Sequence, residues 1–130
     1  MSETTQRTDA GYEAFVAFQE GSQLLADGNH HAATTVLERA RDLEPDQGSI
    51  REALARAYFS SARYRDAEEE YGRAVELDPV NDYAHYGLGR CRLRAGDRTG
   101  ARGHLRLAVA MRPERDDYCE ALARVIDLNV

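Results

Sequence analysis

Residues 48–81, GSIREALARAYFSSARYRDAEEEYGRAVELDPVN, contain two amphipathic segments joined at Ala62-Arg63 and closed by Leu77-Asp78-Pro79. The pattern recurs on both sides. The three prolines of the chain, Pro45, Pro79 and Pro113, are 34 residues apart, and each follows an alanine five residues earlier, Ala40, Ala74 or Ala108. A fixed period of this length marks a stacked array of helical hairpins, in which each unit buries its apolar face against the next. The expected fold class is all-α.

Working outward, Tyr12, Phe15, Val16, Phe18, Leu24 and Leu25 recur at helical spacing from Ala10 to Ala26, and Asp27-Gly28-Asn29 supplies residues that tolerate a left-handed turn. His30 to Leu43 repeats the helical pattern, and Glu44-Pro45 ends it, because the residue before proline is pushed out of helical geometry. The same layout predicts helices over Gly48–Ser61 and Tyr64–Leu77, then Asp82–Ala95 and Arg98–Met111. A seventh helix, Asp116 to about Leu128, carries its acids in the first turn, where they favour the helix dipole, and covers the apolar end of the stack. Residues 1–9 are polar and aperiodic and are expected to be a disordered lead-in to a single domain over residues 10–130. The repeats are residues 14–47, 48–81 and 82–115, with the capping helix at 116–128.

Superposed at the 34-residue period, Gly21, Ala55 and Gly89 face Ala33, Ala67 and Ala101, so that paired backbones can approach closely. Leu37, Tyr71 and Leu105 fill the space beside them, and Leu43, Leu77 and Met111 close each hairpin above the proline. With this order of small, large and proline positions the chain resembles the tetratricopeptide repeat family over about residues 14–128. The resemblance implies a right-handed superhelical stack of hairpins, a TPR solenoid of seven helices. Several positions depart from the family pattern. Glu20 and Arg92 stand where a large apolar residue or a tyrosine is expected, and Ala17, Arg51 and His85 replace the bulky aromatic often found early in each first helix. Burying an unpaired charge is costly, so Glu20 and Arg92 are expected at the solvent edge with their stems packed.

The charge balance narrows the classes of partner. The net charge is -6, which argues against non-specific nucleic-acid binding. Residues 1–81 hold eight Arg against sixteen Asp and Glu, the third repeat holds eight Arg against three acids, and the tail from Asp116 holds one against four. All seventeen cationic residues are Arg, which reads as a compositional bias of the genome, because many sit where a planar fork has no evident use. Cys91 and Cys119 lack metal-ligand spacing or a disulfide framework and are expected to be reduced thiols without function in a cytoplasmic protein. No signal peptide or membrane span is expected.

In the family, one face of the first helices lines a concave groove that holds a partner segment. The resemblance places Phe18 and Ser22 of the first unit, Glu52, Arg56 and Phe59 of the second, and Tyr83, Tyr86, Arg90, Leu93 and Arg94 of the third on that face. Aromatic and arginine side chains are over-represented among residues that dominate binding, and Arg takes a carboxylate bidentately. The matching ligand is an extended or helical peptide segment with acidic residues, or a free C-terminus, of another protein. A solvated face in which Glu52 and Glu120 partly neutralise the arginines is the plainer alternative. Chaperone-binding members clamp a terminal carboxylate with Lys and Asn, and the matching positions here hold Phe18, Ser22, Ala53, Tyr83 and Gly87. That clamp is absent.

Arg98, Arg102 and Arg106 form a stripe on the outer surface, expected to pair with Asp66, Glu68, Glu69 and Glu70 of the preceding unit. His30, His31, His85 and His104 form no visible ligand set, and no phosphate loop or nucleophile motif is present, so neither metal, cofactor nor catalysis is expected. The alternative to a peptide adaptor is a scaffold that self-assembles into a homo-oligomer, head to tail or through the Phe15/Phe18 end.

Overall fold

The computed structural model describes residues 3–127 of the chain, and the side chains of residues 9–126. Among the described residues there are seven helices and no strand: α1 (Glu3–Ala26), α2 (His30–Leu43), α3 (Gly48–Ser60), α4 (Tyr64–Leu77), α5 (Asp82–Arg94), α6 (Arg98–Met111) and α7 (Asp116–Asp127). Consecutive helices pack on one another, and α1, α3, α5 and α7 also touch in sequence, which makes them the inner row of a solenoid.

One correction falls at the start of the chain. Helix α1 begins at Glu3, so the segment expected to be a disordered lead-in is helical from there, while Met1 and Ser2 lie outside the described residues. No proline or glycine interrupts residues 3–9, and extending an existing helix avoids the cost of nucleating one. Helices α3 and α5 stop one residue before the expected Ser61 and Ala95. The expected end of α7 near Leu128 is outside the described residues.

The small-residue columns work as close-approach points. A Cβ added at Gly21 would lie 2.5 Å from Leu37, and one at Gly89 would lie 2.6 Å from Leu105. Gly87 has a different duty: Tyr71 carries a ring where the neighbouring units have leucine, and a Cβ at Gly87 would overlap that ring. Leu37, Leu54 and Leu105 are fully buried, each contributing about 2 kcal/mol by removal of apolar surface from water. The core runs without a break from Ala33 through Leu54 and Tyr71 to Cys91, and α7 closes its far end by setting Val125 against Leu105.

The departures from the aromatic pattern have a common physical reason. Arg51 Nε donates to the Pro45 carbonyl at 2.9 Å, His85 Nε2 donates to the Pro79 carbonyl at 3.0 Å, and Cys119 Sγ approaches the Pro113 carbonyl at 3.6 Å. These three positions are one repeat apart. Each gives a donor to a carbonyl left over by the inter-repeat turn, which a buried aromatic ring would not do. Arg51 also reaches Glu70 at 2.9 Å, and Arg41 of the preceding unit meets the same carboxylate at 2.7 Å, so one buried acid ties α2, α3 and α4 together. Glu20 is exposed. Arg92 is half-exposed, with Nε 2.7 Å from Glu68 and Nη1 3.2 Å from Asp97; the Nε contact is poorly angled for a hydrogen bond and acts as an ion pair. It thus links α5 back to α4, as Tyr58 links α3 back to α2 by donating its hydroxyl to Glu38 at 2.6 Å.

The outer arginine stripe is a second correction. Three of the four acids expected to serve it pair elsewhere: Asp66 with Arg63, Glu68 with Arg92, and Glu70 with Arg41 and Arg51. Their side chains turn toward their own unit, the preceding one or α5, and among the described residues no carboxylate lies within ion-pair distance of Arg102 or Arg106.

The hairpin turns recur at the same period. Gly28 and Gly96 have φ of 81° and 84°, and Ala62 at the equivalent place has φ of 60°. A side chain in this region costs about 1 kcal/mol that glycine avoids. Ala62→Gly is therefore expected to raise the chemical unfolding midpoint, by the equivalent of about 0.5–1 kcal/mol after allowance for glycine's greater unfolded-state entropy.

Candidate peptide-binding groove

The inner helices place an unbroken row of alternating rings and guanidinium groups across the second and third units. Arg56 Cζ lies 5.7 Å from the Tyr83 ring, Tyr83 and Tyr86 have centroids 5.7 Å apart, and Arg90 Cζ lies 5.2 Å from Tyr86 and 4.0 Å from Phe59. Arg94 follows, 6.0 Å from Phe59 and 5.1 Å from Tyr64. Helical spacing explains this arrangement, since Arg90 and Arg94 are one turn apart on α5 and both face the end of α3. Stacking on the rings limits the freedom of each guanidinium while leaving its fork of donors available.

Arg39, Arg41, Arg51, Arg63, Arg73 and Arg92 each meet a carboxylate. Among the described residues Arg56, Arg90 and Arg94 have ring contacts and no ion pair. Glu52, expected to neutralise them in part, instead accepts from the Asn81 side chain at 3.2 Å. Glu120 likewise pairs with none of them.

A cleft of about 300 Å³ opens between α5 and α7. Phe59, Tyr86, Leu93 and Ala121 supply its apolar part, Arg90 and Arg94 line it from α5, and Asp117, Glu120 and Arg124 line it from α7. Asp117 is engaged by Arg115, whose guanidinium meets both carboxylate oxygens at 3.0 and 2.8 Å and holds the acid below its ordinary range. Tyr118 anchors this wall. It is fully buried, packs 4.7 Å from Tyr86 and donates its hydroxyl to Asp82 at 2.6 Å.

The structure thus brings Arg56, Phe59, Tyr83, Tyr86, Arg90, Leu93 and Arg94 together. Phe18 and Ser22 stand apart, beside Gln19 and Gln23 in a shallow depression on α1. Of the α7 wall only Glu120 was expected from the sequence; Asp117, Tyr118 and Arg124, and Tyr64 on α4, were not. The signal was available: Arg124 follows Arg90 by one repeat, as Arg90 follows Arg56. Continuing the columns into the capping helix would have exposed an arginine at the same place in α3, α5 and α7.

On the other side of α5 a histidine pair joins this helix to α6. His85 Nε2 donates to Pro79, so its Nδ1 accepts from His104 Nδ1 at 3.2 Å when both rings are neutral. Burial, then His85 and Arg92, lower the His104 pKa, against opposing contributions from Glu68 and Asp97. A base whose folded pKa is depressed contributes stability above its unfolded pKa, about 6.5 for histidine, and loses it as pH falls below that value. The urea midpoint is expected to drop between about pH 7 and pH 5.5, and His104→Gln should flatten that dependence.

Elsewhere the chemistry is quiet. Burial, then Glu68, push the Cys91 thiol up to about 12, so it is unreactive at neutral pH. Among the described residues no group of three metal-ligating side chains occurs, and no helix is long and apolar enough to cross a membrane.

Comparison with known proteins agrees with the repeat geometry. Two tetratricopeptide repeat family models match, one over residues 52–116 and one over residues 24–74. The small glutamine-rich tetratricopeptide repeat-containing protein 2 of Mycosarcoma maydis is 33% identical over 84 residues, 58% of this chain and 24% of its own length. The TPR repeat-containing thioredoxin TTL4 of Arabidopsis thaliana is 34% identical over 85 residues, 65% of this chain and 12% of its own. The chain therefore spans a quarter or less of these relatives. Among solved structures, the first TPR domain of Spaghetti (RPAP3), bound to an HSP90 peptide, superposes with a TM-score of 0.86 at 19% identity, covering 91% of this chain and 94% of that one. The Arabidopsis OM64 TPR domain gives 0.87 at 18% identity, covering 91% and 98%. With a family model matching half its length and the 34-residue architecture throughout, the chain belongs to the tetratricopeptide repeat family and is a non-enzymatic protein–protein interaction module.

Proposed function

We propose that this module holds an acidic segment of a partner protein in the concave groove of its second and third units, and that it does so in the cytoplasm. The observation that carries the reading is the set of groove arginines, Arg56, Arg90 and Arg94, held on aromatic faces without a carboxylate partner in a chain of net charge -6. Leaving cations unpaired among so many acids gives up ion pairs that most other arginines of the chain make. A partner carboxylate would supply them, with Phe59 and Tyr86 as apolar anchors. The first TPR domain of Spaghetti, bound to the HSP90 peptide SRMEEVD, supports an acidic ligand by fold analogy. The clamp positions differ, however, so the contacts here would centre on α5 and α7.

A photo-crosslinking amino acid placed at Tyr86 is expected to capture a partner from the native cell, and one placed at Leu107 on the outer face of α6 is not. Capture from Leu107 alone would overturn the groove reading.

A second reading, self-association through the first unit, has one observation in its favour. Tyr12, Phe15 and Val16 are exposed, and a depression of about 470 Å³ beside Tyr12, Val16, Ala17 and Val36 occupies the place where a preceding unit's second helix would pack. Light scattering that shows a mass rising with concentration, and a constant mass for Val16→Glu, is the result expected of that assembly.

A further inference from the structure

The groove arginines recur with the repeat. Arg56 on α3, Arg90 on α5 and Arg124 on α7 are 34 residues apart, and these three helices touch one after another in the inner row. The same position in α1 is Ser22. The cations therefore form a ladder with one rung per inner helix, beginning at the second unit and ending on the capping helix. Arg94 broadens the middle rung, since its Cζ and that of Arg90 both lie within 6.0 Å of the Phe59 ring. The rungs are free to take a ligand: among the described residues none of Arg56, Arg90 and Arg124 makes an ion pair.

Helix packing sets the spacing of the rungs. Packed helices lie about 8–10 Å apart, so equivalent side chains on successive inner helices repeat at about that distance. A polyproline II segment advances about 3.1 Å per residue with three residues per turn, so every third side chain returns to the same face after about 9 Å. In a β-strand the residues that share a face are two apart, at about 6.6 Å, which falls short of the rung spacing. Resting on the groove reading above, we propose that the ladder reads register: the partner segment lies in polyproline II conformation across α3, α5 and α7 and presents a carboxylate at every third residue, one to each arginine rung. The intervening side chains face solvent or the rings of Tyr83, Tyr86 and Phe59. Helix α7 is then part of the recognition surface as well as the cap of the stack.

The remaining acids fit this assignment. Glu52 is turned to Asn81, and Asp117 is occupied by Arg115. Glu120 is the one acid of the cleft without a partner among the described residues, and it stands one turn before Arg124, where it opposes an incoming carboxylate. Replacing it should strengthen binding, an outcome that damage to the fold would not produce.

The test uses the full chain and three synthetic dodecapeptides of identical composition in a serine and threonine background. Their glutamates are placed at every third residue, at every second residue, or in one contiguous block. Fluorescence anisotropy at low salt is expected to show the every-third peptide binding at least about tenfold tighter than the block, with Arg56→Gln, Arg90→Gln and Arg124→Gln each weakening it about fivefold to tenfold. Glu120→Gln should tighten it, and Arg102→Gln on the outer face should leave it unchanged. Equal affinity for the three peptides would overturn the register while leaving an acid-binding groove. Failure of all three, with crosslinking at Tyr86 still capturing a partner, would overturn the ladder and leave the groove. Failure of both would overturn both readings. Preference for a single-stranded dT oligonucleotide over every peptide would overturn the ladder as a protein-binding device.

Discussion

Glu70→Ala is expected to lower the unfolding free energy by about 3 kcal/mol. The carboxylate is 6% exposed and receives Arg41 from α2 and Arg51 from α3, so its removal leaves two guanidinium groups partly buried beside each other. Most of the loss comes from those stranded charges and little from the intrinsic worth of the pairs, which desolvation largely offsets. Replacing all three together, Arg41→Met, Arg51→Leu and Glu70→Met, should recover most of the stability. Urea unfolding of the single and triple variants separates the two contributions. The triad also joins the first two units, so Glu70→Ala should reduce the cooperativity of the transition as well as its midpoint.

Arg90→Glu combined with Arg94→Glu is expected to weaken capture of the partner segment by at least about a hundredfold, roughly 3 kcal/mol, with only a modest change in the unfolding midpoint. Both guanidinium groups are partly exposed and neither holds a structural ion pair, so the fold draws on their charge only through ring contacts worth about 0.5–1 kcal/mol each. Binding depends on it doubly. Each substitution deletes an attraction and adds a repulsion against the same ligand carboxylate. Anisotropy of a labelled partner segment, followed from low to high salt, is the measurement: the wild-type affinity should fall with salt, and the residual affinity of the double variant should not.

The repeat and its helix boundaries were legible because they are local. Prolines at a fixed period, small residues at facing positions and Gly28 or Gly96 at the hairpin turns act within one unit, and α2, α4 and α6 have the bounds that their spacing predicts. The row from Arg56 to Arg94 was legible through the family resemblance, which put those residues of two units on the groove face. Other contacts between units had no such guide. Nothing in the order of residues says that Glu70 serves Arg41 and Arg51 in preference to the α6 stripe, because that choice depends on the tilt between hairpins. The replacement of an aromatic by Arg51 and His85 looked like two unrelated departures until each was found beside a proline carbonyl, where Cys119 stands at the same position in α7. Arg124 was missed because the capping helix was read for its apolar face and its acids, although its arginine keeps the repeat register.

The helix at Glu3 shows the opposite limit. Composition favoured disorder there, yet seven polar residues without a breaker can continue a helix already nucleated by the packing of Ala14 and Ala17.

The most direct test of the central claim, that the arginines of α5 choose the partner by charge, is selection of a random peptide library on the wild-type chain and on the Arg90→Glu/Arg94→Glu variant. The wild type should enrich acidic peptides, and the variant should enrich neutral or basic ones from the same library. Enrichment of the same peptides on both, or of peptides without acids on the wild type, would contradict the account.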